Sequence, residues 1–269
     1  MRIKKYVKPK TLQEAYELLK KGKKNQLLAG CTFLRITDTF IDTGIDIMDL
    51  GLDYIDKSAN FIRIGATTPL RKIELDRNIA AAADDAFAEI LGHLIGIQLR
   101  NSITIGAHVY SRYGFSDIIT LLLALDASVK LYSAGERRLE DFLKDPCERD
   151  ILTEVIIPLK PRCTRVYSMH NSYSDYAILS VAVAKSGEGW RIAVGARPQR
   201  AACAEKAMEY LNSKPYAPGD NKVAAAMAAE ELVFGSNTRG SAGYRETICE
   251  NILIRLIKEA ENAGYSVCE

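Results

Sequence analysis

Early in the chain, a short aliphatic run twice leads into a glycine and then a polar turn. The two places are Leu27-Leu-Ala-Gly-Cys-Thr-Phe-Leu34 and Thr104-Ile-Gly-Ala-His-Val-Tyr110. Glycine reaches the positive φ angles and close backbone approaches that other residues resist. Backbone N–H groups in such turns can converge into an anion-binding nest. Two nests could hold one dinucleotide pyrophosphate between two subdomains. The same pattern also describes two ordinary strand-ending turns, and the turns alone do not choose between the readings.

Other features close off alternatives. The chain has no GxGxxG, no GxxxxGK[ST] and no HExxH, so the usual Rossmann, P-loop and zinc-protease signatures are missing. Its 36 basic residues nearly balance 34 acidic ones and are scattered, which gives no footprint for nucleic acid. The lysine-rich stretches at Lys4–Lys10 and Lys20–Lys24 read as solvated surface. No run of about 18 apolar residues suggests a membrane span. The start, MRIKKYVKPK, lacks the apolar core of a secretory signal. The six cysteines form no CxxC pair and suit neither zinc nor an iron–sulfur cluster, so free thiols and a cytoplasmic location are expected. No metal site is expected.

The pattern of elements is α+β. Residues 1–55 read as a small α/β subdomain, with a capping box at Thr11-Leu-Gln-Glu14 and a strand at Ile45–Leu50. Residues 56–160 read as a second subdomain. It holds a strand at Phe61–Ala66, a helix over Ala80–Ile97, a short strand Ser102–Ile105 ending at Gly106, and a helix capped at Ser116-Asp117. Residues 161–269 read as a C-terminal domain. Strands Tyr176–Lys185 and Trp190–Gly195 meet through Ser186-Gly-Glu-Gly189, and three helices follow. His93 lies on an apolar helical stretch and reads as structural. His108 lies in the second turn, where a phosphate or ribose contact and a bland role stand level. His170 carries no assignment.

These loops also carry a resemblance. Leu28-Ala-Gly-Cys-Thr-Phe-Leu34, Ile64-Gly-Ala-Thr-Thr68, Arg100-Asn-Ser-Ile-Thr-Ile-Gly106 with Ser116-Asp117, and Leu121-Leu-Leu-Ala-Leu-Asp-Ala127 recur in one family in this order. Leu152-Thr-Glu-Val-Ile-Ile-Pro158, Asp175-Tyr-Ala177, Arg200-Ala201 and Tyr244-Arg245 follow. The chain resembles the FAD-binding subunit of molybdenum hydroxylases, of the xanthine dehydrogenase and carbon monoxide dehydrogenase type. No single match is specific; their order is.

The resemblance implies a PCMH-type FAD-binding fold of two α/β subdomains, followed by a C-terminal antiparallel sheet with helices. It implies FAD held in extended form. Leu28, Ala29, Gly30, Cys31, Thr32, Phe33 and Leu34 would form the first loop, with amides on the pyrophosphate. Thr104, Gly106, Ala107 and His108 would supply the second. Asp117 would accept from a ribityl hydroxyl or a backbone amide, or act only as a helix cap. Leu152 would pack on a ring and Tyr176 would lie near the isoalloxazine; for both, core packing is the alternative. No side chain is expected to act as nucleophile or general base. Molybdopterin and 2Fe-2S clusters would sit on partner subunits, and NAD or another acceptor would take the electrons. Cys31 stands where the family has a second glycine, and Ala107-His108 where it has Gly-Asn. If these positions need positive φ, each added Cβ costs on the order of 1 kcal/mol. The alternative is a flavin-less scaffold subunit of the same fold.

Overall fold

The computed structural model describes residues 1–94, 96–146, 149–173 and 175–263. The chain opens with β1 (Arg2–Val7), α1 (Leu12–Lys21), β2 (Gln26–Leu28) and β3 (Phe40–Asp46). Half of the expected capping box forms at α1: Glu14 N donates to Thr11 Oγ1 at 3.1 Å, but the Glu14 carboxylate reaches one residue further back and accepts from Lys10 N at 2.8 Å. β3 comes earlier than the expected Ile45–Leu50. Asp46 Oδ1 accepts from Met48 N at 2.9 Å and turns the chain there.

Next come β4 (Ile55–Lys57), β5 (Phe61–Gly65), α2 (Leu70–Leu75), α3 (Arg77–Ala82), α4 (Ala86–His93) and α5 (Ile97–Arg100). The single helix expected over Ala80–Ile97 is thus broken. Asp84 and Asp85 both take positive φ, +53° and +61°, a region that aspartate tolerates better than most residues. Ile95, part of the expected helical face, lies outside the described residues.

The chain continues with α6 (Ile105–Tyr110), α7 (Asp117–Ala124), β6 (Ser128–Leu131), β7 (Gly135–Arg138), α8 (Leu139–Lys144) and β8 (Leu152–Pro158). It closes with β9 (Arg162–Met169), β10 (Leu179–Ser186), β11 (Gly189–Gly195), β12 (Ala202–Cys203), α9 (Glu205–Asn212), α10 (Asp220–Glu231) and α11 (Ala242–Asn262). Among the described residues no helix is long and apolar enough to cross a membrane. Cys31, Cys163, Cys203 and Cys249 are free thiols. Cys147 and Cys268 lie outside the described residues.

The chain folds as two compact units. The first comprises Met1–Ile73, Gly96–Ser111 and Ser128–Ile156. It holds a parallel three-stranded sheet, β1-β3-β2, and a five-stranded sheet, β4-β5-β8-β6-β7. Parallel neighbours require a crossover. Here α1 joins β1 to β2 on the far side of β3, burying Ala15 and Leu19 with Ile45, Ile47 and Ile151. Arg149 ties off the end of α1 by donating to the carbonyls of Leu19, Gly22, Lys23 and Asn25 at 2.6–3.1 Å.

The second unit comprises Glu74–Ile95, Arg112–Ala127 and Ile157–Glu269. Its antiparallel sheet has the order β12-β11-β10-β9. Leu179, Val181, Val183, Ile192 and Val194 alternate onto one face and pack with residues of α9, α10 and α11. α7 lies on β10 and β11 and all of its residues are buried. Two sheet arginines finish that helix: Arg162 donates to Leu125 O at 2.8 Å and Arg191 to Leu123 O at 3.1 Å.

Candidate flavin site

Both glycine turns belong to the first unit, and they touch. Gly30 has φ +65°, and a Cβ placed on it would run into the Ser102 carbonyl and lie 3.6 Å from Thr104 Cγ2. Glycine is therefore required twice over at position 30, by conformation and by space. The second turn is pinned from its other side. Leu70 N donates to Ile103 O, Ile105 N to Thr68 O and Gly106 N to Ala66 O, at 2.9–3.0 Å. A Cβ on Gly106 would lie 2.5 Å from Ala66 Cβ and 2.7 Å from its carbonyl oxygen. The Ile64–Thr68 motif thus serves as the clamp for the second turn.

The strand expected at Ser102–Ile105 is reduced to one bridge, Pro69 to Thr104, because Thr104 starts α6 instead. Thr104 gives its helix no side-chain cap.

Several polar groups at this junction are left unpaired. The hydroxyls of Thr32, Thr67 and Thr104 are buried without a hydrogen-bond partner. Among the described residues, the amides of Gly30, Thr32 and Ala107 also have no protein partner. Buried polar groups are nearly always paired, and each of the three orphaned hydroxyls costs about 1–3 kcal/mol. The hydroxyls are enclosed by the chain itself, whereas the amides lie on an exposed or half-buried backbone, and open amides on two abutting turns are donors that an anion can use.

The departures from the family loops differ in their effect. Cys31 does take positive φ, +54°, and its amide donates to Ala29 O at 2.7 Å. Burial pushes its thiol pKa up and nearby Asp46 adds to this, against a lowering hydrogen bond from Ala29. Ala107 and His108 need no positive φ; they sit inside α6 and pay no such strain. Cys31→Gly should accordingly relieve about 1 kcal/mol. The expected result is a melting temperature roughly 2–4 °C higher, read by calorimetry; no rise would show that Cys31 carries no strain.

The remaining expected site residues are dispersed. Leu28 is buried in β2 beside β3, while Phe33 and Leu34 lie at the 3-10 turn that follows the first loop. Leu152 begins β8 in the first unit, 4% exposed and paired with Leu131.

Asp117 and Tyr176 belong to the second unit. The cap of α7 is Ser116, whose hydroxyl accepts from Ile119 N at 3.0 Å; Asp117 is not the cap. Instead Asp117 accepts from Ser168 Oγ at 2.9 Å and lies 3.8 Å from His170 Nε2. The hydrogen bond to Asp117 raises the His170 pKa against the opposing effect of burial. His170 therefore has a role in ordering this corner that the sequence does not reveal. His93 stacks on His170 and meets the edge of Tyr173. Tyr176 packs against Phe115, with the Arg239 guanidinium over its ring at 5.0 Å.

Two abutting glycine turns thus sit on a mixed α+β scaffold. The chain belongs to the family described as FAD binding domain in molybdopterin dehydrogenase, which matches residues 1–160; residues 166–260 match the CO dehydrogenase flavoprotein C-terminal domain. It is a FAD-binding medium subunit of the molybdenum hydroxylases, with the PCMH-type fold.

It is 29% identical to Uncharacterized protein YgfM of Escherichia coli K12, over 97% of this chain and 98% of that one. It is 28% identical to the glyceraldehyde dehydrogenase medium chain of Sulfolobus acidocaldarius, over 94% and 97%. The fold is shared with quinoline 2-oxidoreductase from Pseudomonas putida 86, at TM-score 0.85, 24% identity and 96% and 97% coverage. It is shared as well with CO dehydrogenase from Oligotropha carboxidovorans, at TM-score 0.86, 23% identity and 97% and 98% coverage.

Proposed function

We propose that this chain carries the flavin of a multi-subunit molybdenum hydroxylase. In this reading it receives electrons from iron–sulfur clusters on a partner subunit and delivers them to NAD or another acceptor. The substrate would be oxidised at molybdopterin on a third subunit. The observation that supports this most is the contact between the Gly30 and Thr104 turns, whose Gly30, Thr32 and Ala107 amides have no protein partner among the described residues.

FAD bound there would supply the two-electron to one-electron conversion that links a pyridine nucleotide to iron–sulfur clusters. The chain's own part is binding and orientation. The amides of Gly30 and Thr32 would donate to one side of the diphosphate, and the Ala107 amide to the other. Gly106 keeps the backbone close to Ala66 and so fixes where the Ala107 amide points. His108, one residue on, would face the phosphate or ribose. Leu152 would offer an apolar surface to a ring. Asp117 and Tyr176 are assigned to the flavin on the family resemblance alone. No residue is asked to act as acid, base or nucleophile.

The full chain, purified and denatured, should release close to one FAD per polypeptide. FAD added to the stripped protein should raise its melting temperature. A colourless protein that FAD does not stabilise would leave the scaffold reading in its place.

A further inference from the structure

We infer that His170 is a proton-operated latch: in its charged form it binds Asp117 and fastens the loop between β9 and β10 to the start of α7. All of these residues belong to the second unit, and the latch does not depend on the flavin reading. Asp117 is 6% exposed. An ionised carboxylate that deep is unstable unless donors or a cation answer it. Its Oδ1 accepts from Ser168 Oγ at 2.9 Å, and Ser168 Oγ lies 3.1 Å from Ser180 Oγ. Hydroxyls bring no charge. Among the described residues, His170 is the one group in ion-pair reach of Asp117 that can, with Nε2 3.8 Å from Oδ2.

Other titratable groups face His170 from the elements around it. Asp175 follows on the same loop, and Arg239 donates to that carboxylate at 3.3 Å. From α4, His93 stacks on the ring with centroids 6.5 Å apart, and Glu89 stands one turn earlier on that helix. Tyr173 meets the edge of His93. A charge on His93 would oppose one on His170. Asp117 raises the His170 pKa above the 6.5 of a free imidazole, burial opposes the rise, and the Ser168 backbone and Asp175 add to it. A group raised in this way stabilises the fold below its unfolded pKa and loses that contribution as pH rises through its folded one. The latch is therefore closed in mild acid and opens on the alkaline side.

The loop's other ties lie further along. Tyr173 OH donates to Gly92 O at 3.2 Å and Ile178 N to Met169 O at 2.6 Å. Between them sits Tyr176, packed on Phe115 and under the Arg239 guanidinium. Deprotonation of His170 frees the first residue of the loop from α7, and the seat of Tyr176 loosens with it.

The test uses the full chain, whose three histidines can be followed singly by their ring signals in NMR. His170→Gln identifies the His170 signal by its loss. In the parent that signal should titrate above the free imidazole value, and in Asp117→Asn it should fall back toward it. Hydrogen exchange at the Tyr176 and Ile178 amides, corrected for intrinsic rates, reads the loop. Their protection should drop roughly three- to tenfold as pH rises through the His170 titration, the size of one partly buried ion pair. His170→Gln should show the lowered protection at every pH, and His93→Gln should keep the parent's profile. Should His170→Gln fail to fold, Asp117→Asn assigns the signal and the parent alone supplies both curves.

A His170 ring that titrates at or below the free value would overturn the inference, for it would then be a neutral structural donor. So would protection that stays flat through the titration. A pH profile that survives His170→Gln and disappears with His93→Gln would overturn it as well.

Discussion

Gly30→Ala is expected to emerge from purification folded but without flavin, its FAD content down at least tenfold. Two costs combine. At φ +65° any residue with a Cβ pays on the order of 1 kcal/mol. The new methyl must also displace the Ser102 carbonyl, which is backbone and cannot swing away. The turns can separate only by spoiling the spacing between the Gly30 and Ala107 amides. Gly106→Ala should behave alike through Ala66. Gly51→Ala is the matched control: Gly51 has φ +72°, and a Cβ added there would meet no atom within 4 Å. It should lose a comparable amount of stability from strain and keep its flavin. Flavin absorbance per mole of protein, with a melting curve for each variant, separates these outcomes. Stoichiometric FAD in Gly30→Ala would mean that the two turns do not jointly grip the nucleotide.

The second large effect is expected at Arg245, the largest fully buried side chain among the described residues. Its guanidinium donates to Ile178 O at 2.8 Å, to Gly235 O and Gly240 O at 2.6 Å, and to Asn237 Oδ1 at 2.6 Å. Burial holds its pKa below the usual arginine value, and Arg239 nearby lowers it further. The charge is tolerated because four oxygens replace water around a planar fork. Arg245→Met would leave all four acceptors stranded in the second unit, at a cost on the order of 3–5 kcal/mol. That is a large share of an ordinary folding free energy. A fall of roughly 10 °C in melting temperature is expected. Arg245→Lys should recover little, since one ammonium cannot span the fork. A variant that melts within a degree or two of the parent would show that loop 235–240 does not depend on this anchor.

Several of these features can be read from the sequence because they are local. The Thr11 cap on Glu14 N and the Ser186–Gly189 hairpin depend on residues a few positions apart, and both form. Gly30 and Gly106 are visible as turn residues, but the reason for them is not. The Ser102 carbonyl and Ala66 come from distant parts of the chain. The break at Asp84–Asp85 escapes a sequence reading because the apolar spacing on either side remains helical. β9 escapes it because Arg162 and Arg165 interrupt its apolar character. In the fold Arg162 caps α7, and Arg165 is ion-paired with Asp84, so neither breaks the strand. Tyr244-Arg245 is legible only as part of a family pattern; that the arginine holds a loop by its carbonyls needs the fold. The orphaned hydroxyl of Thr67 has no sequence signature at all, since a threonine beside a strand end looks ordinary until its partners are counted.

Each unit is assembled from three separate stretches of chain. α7 lies within the first family match, residues 1–160, yet it packs on β10 and β11, which lie within the second. The seam between the two homology regions is therefore not a place to cut. A gene truncated there would translate an N-terminal fragment with the greasy rod of Ile118, Leu121 and Leu122 bare to water. It would also yield a C-terminal fragment whose sheet has lost its lid. Recombination could trade the tail of this polypeptide between relatives only if residues 112–127 travelled with it.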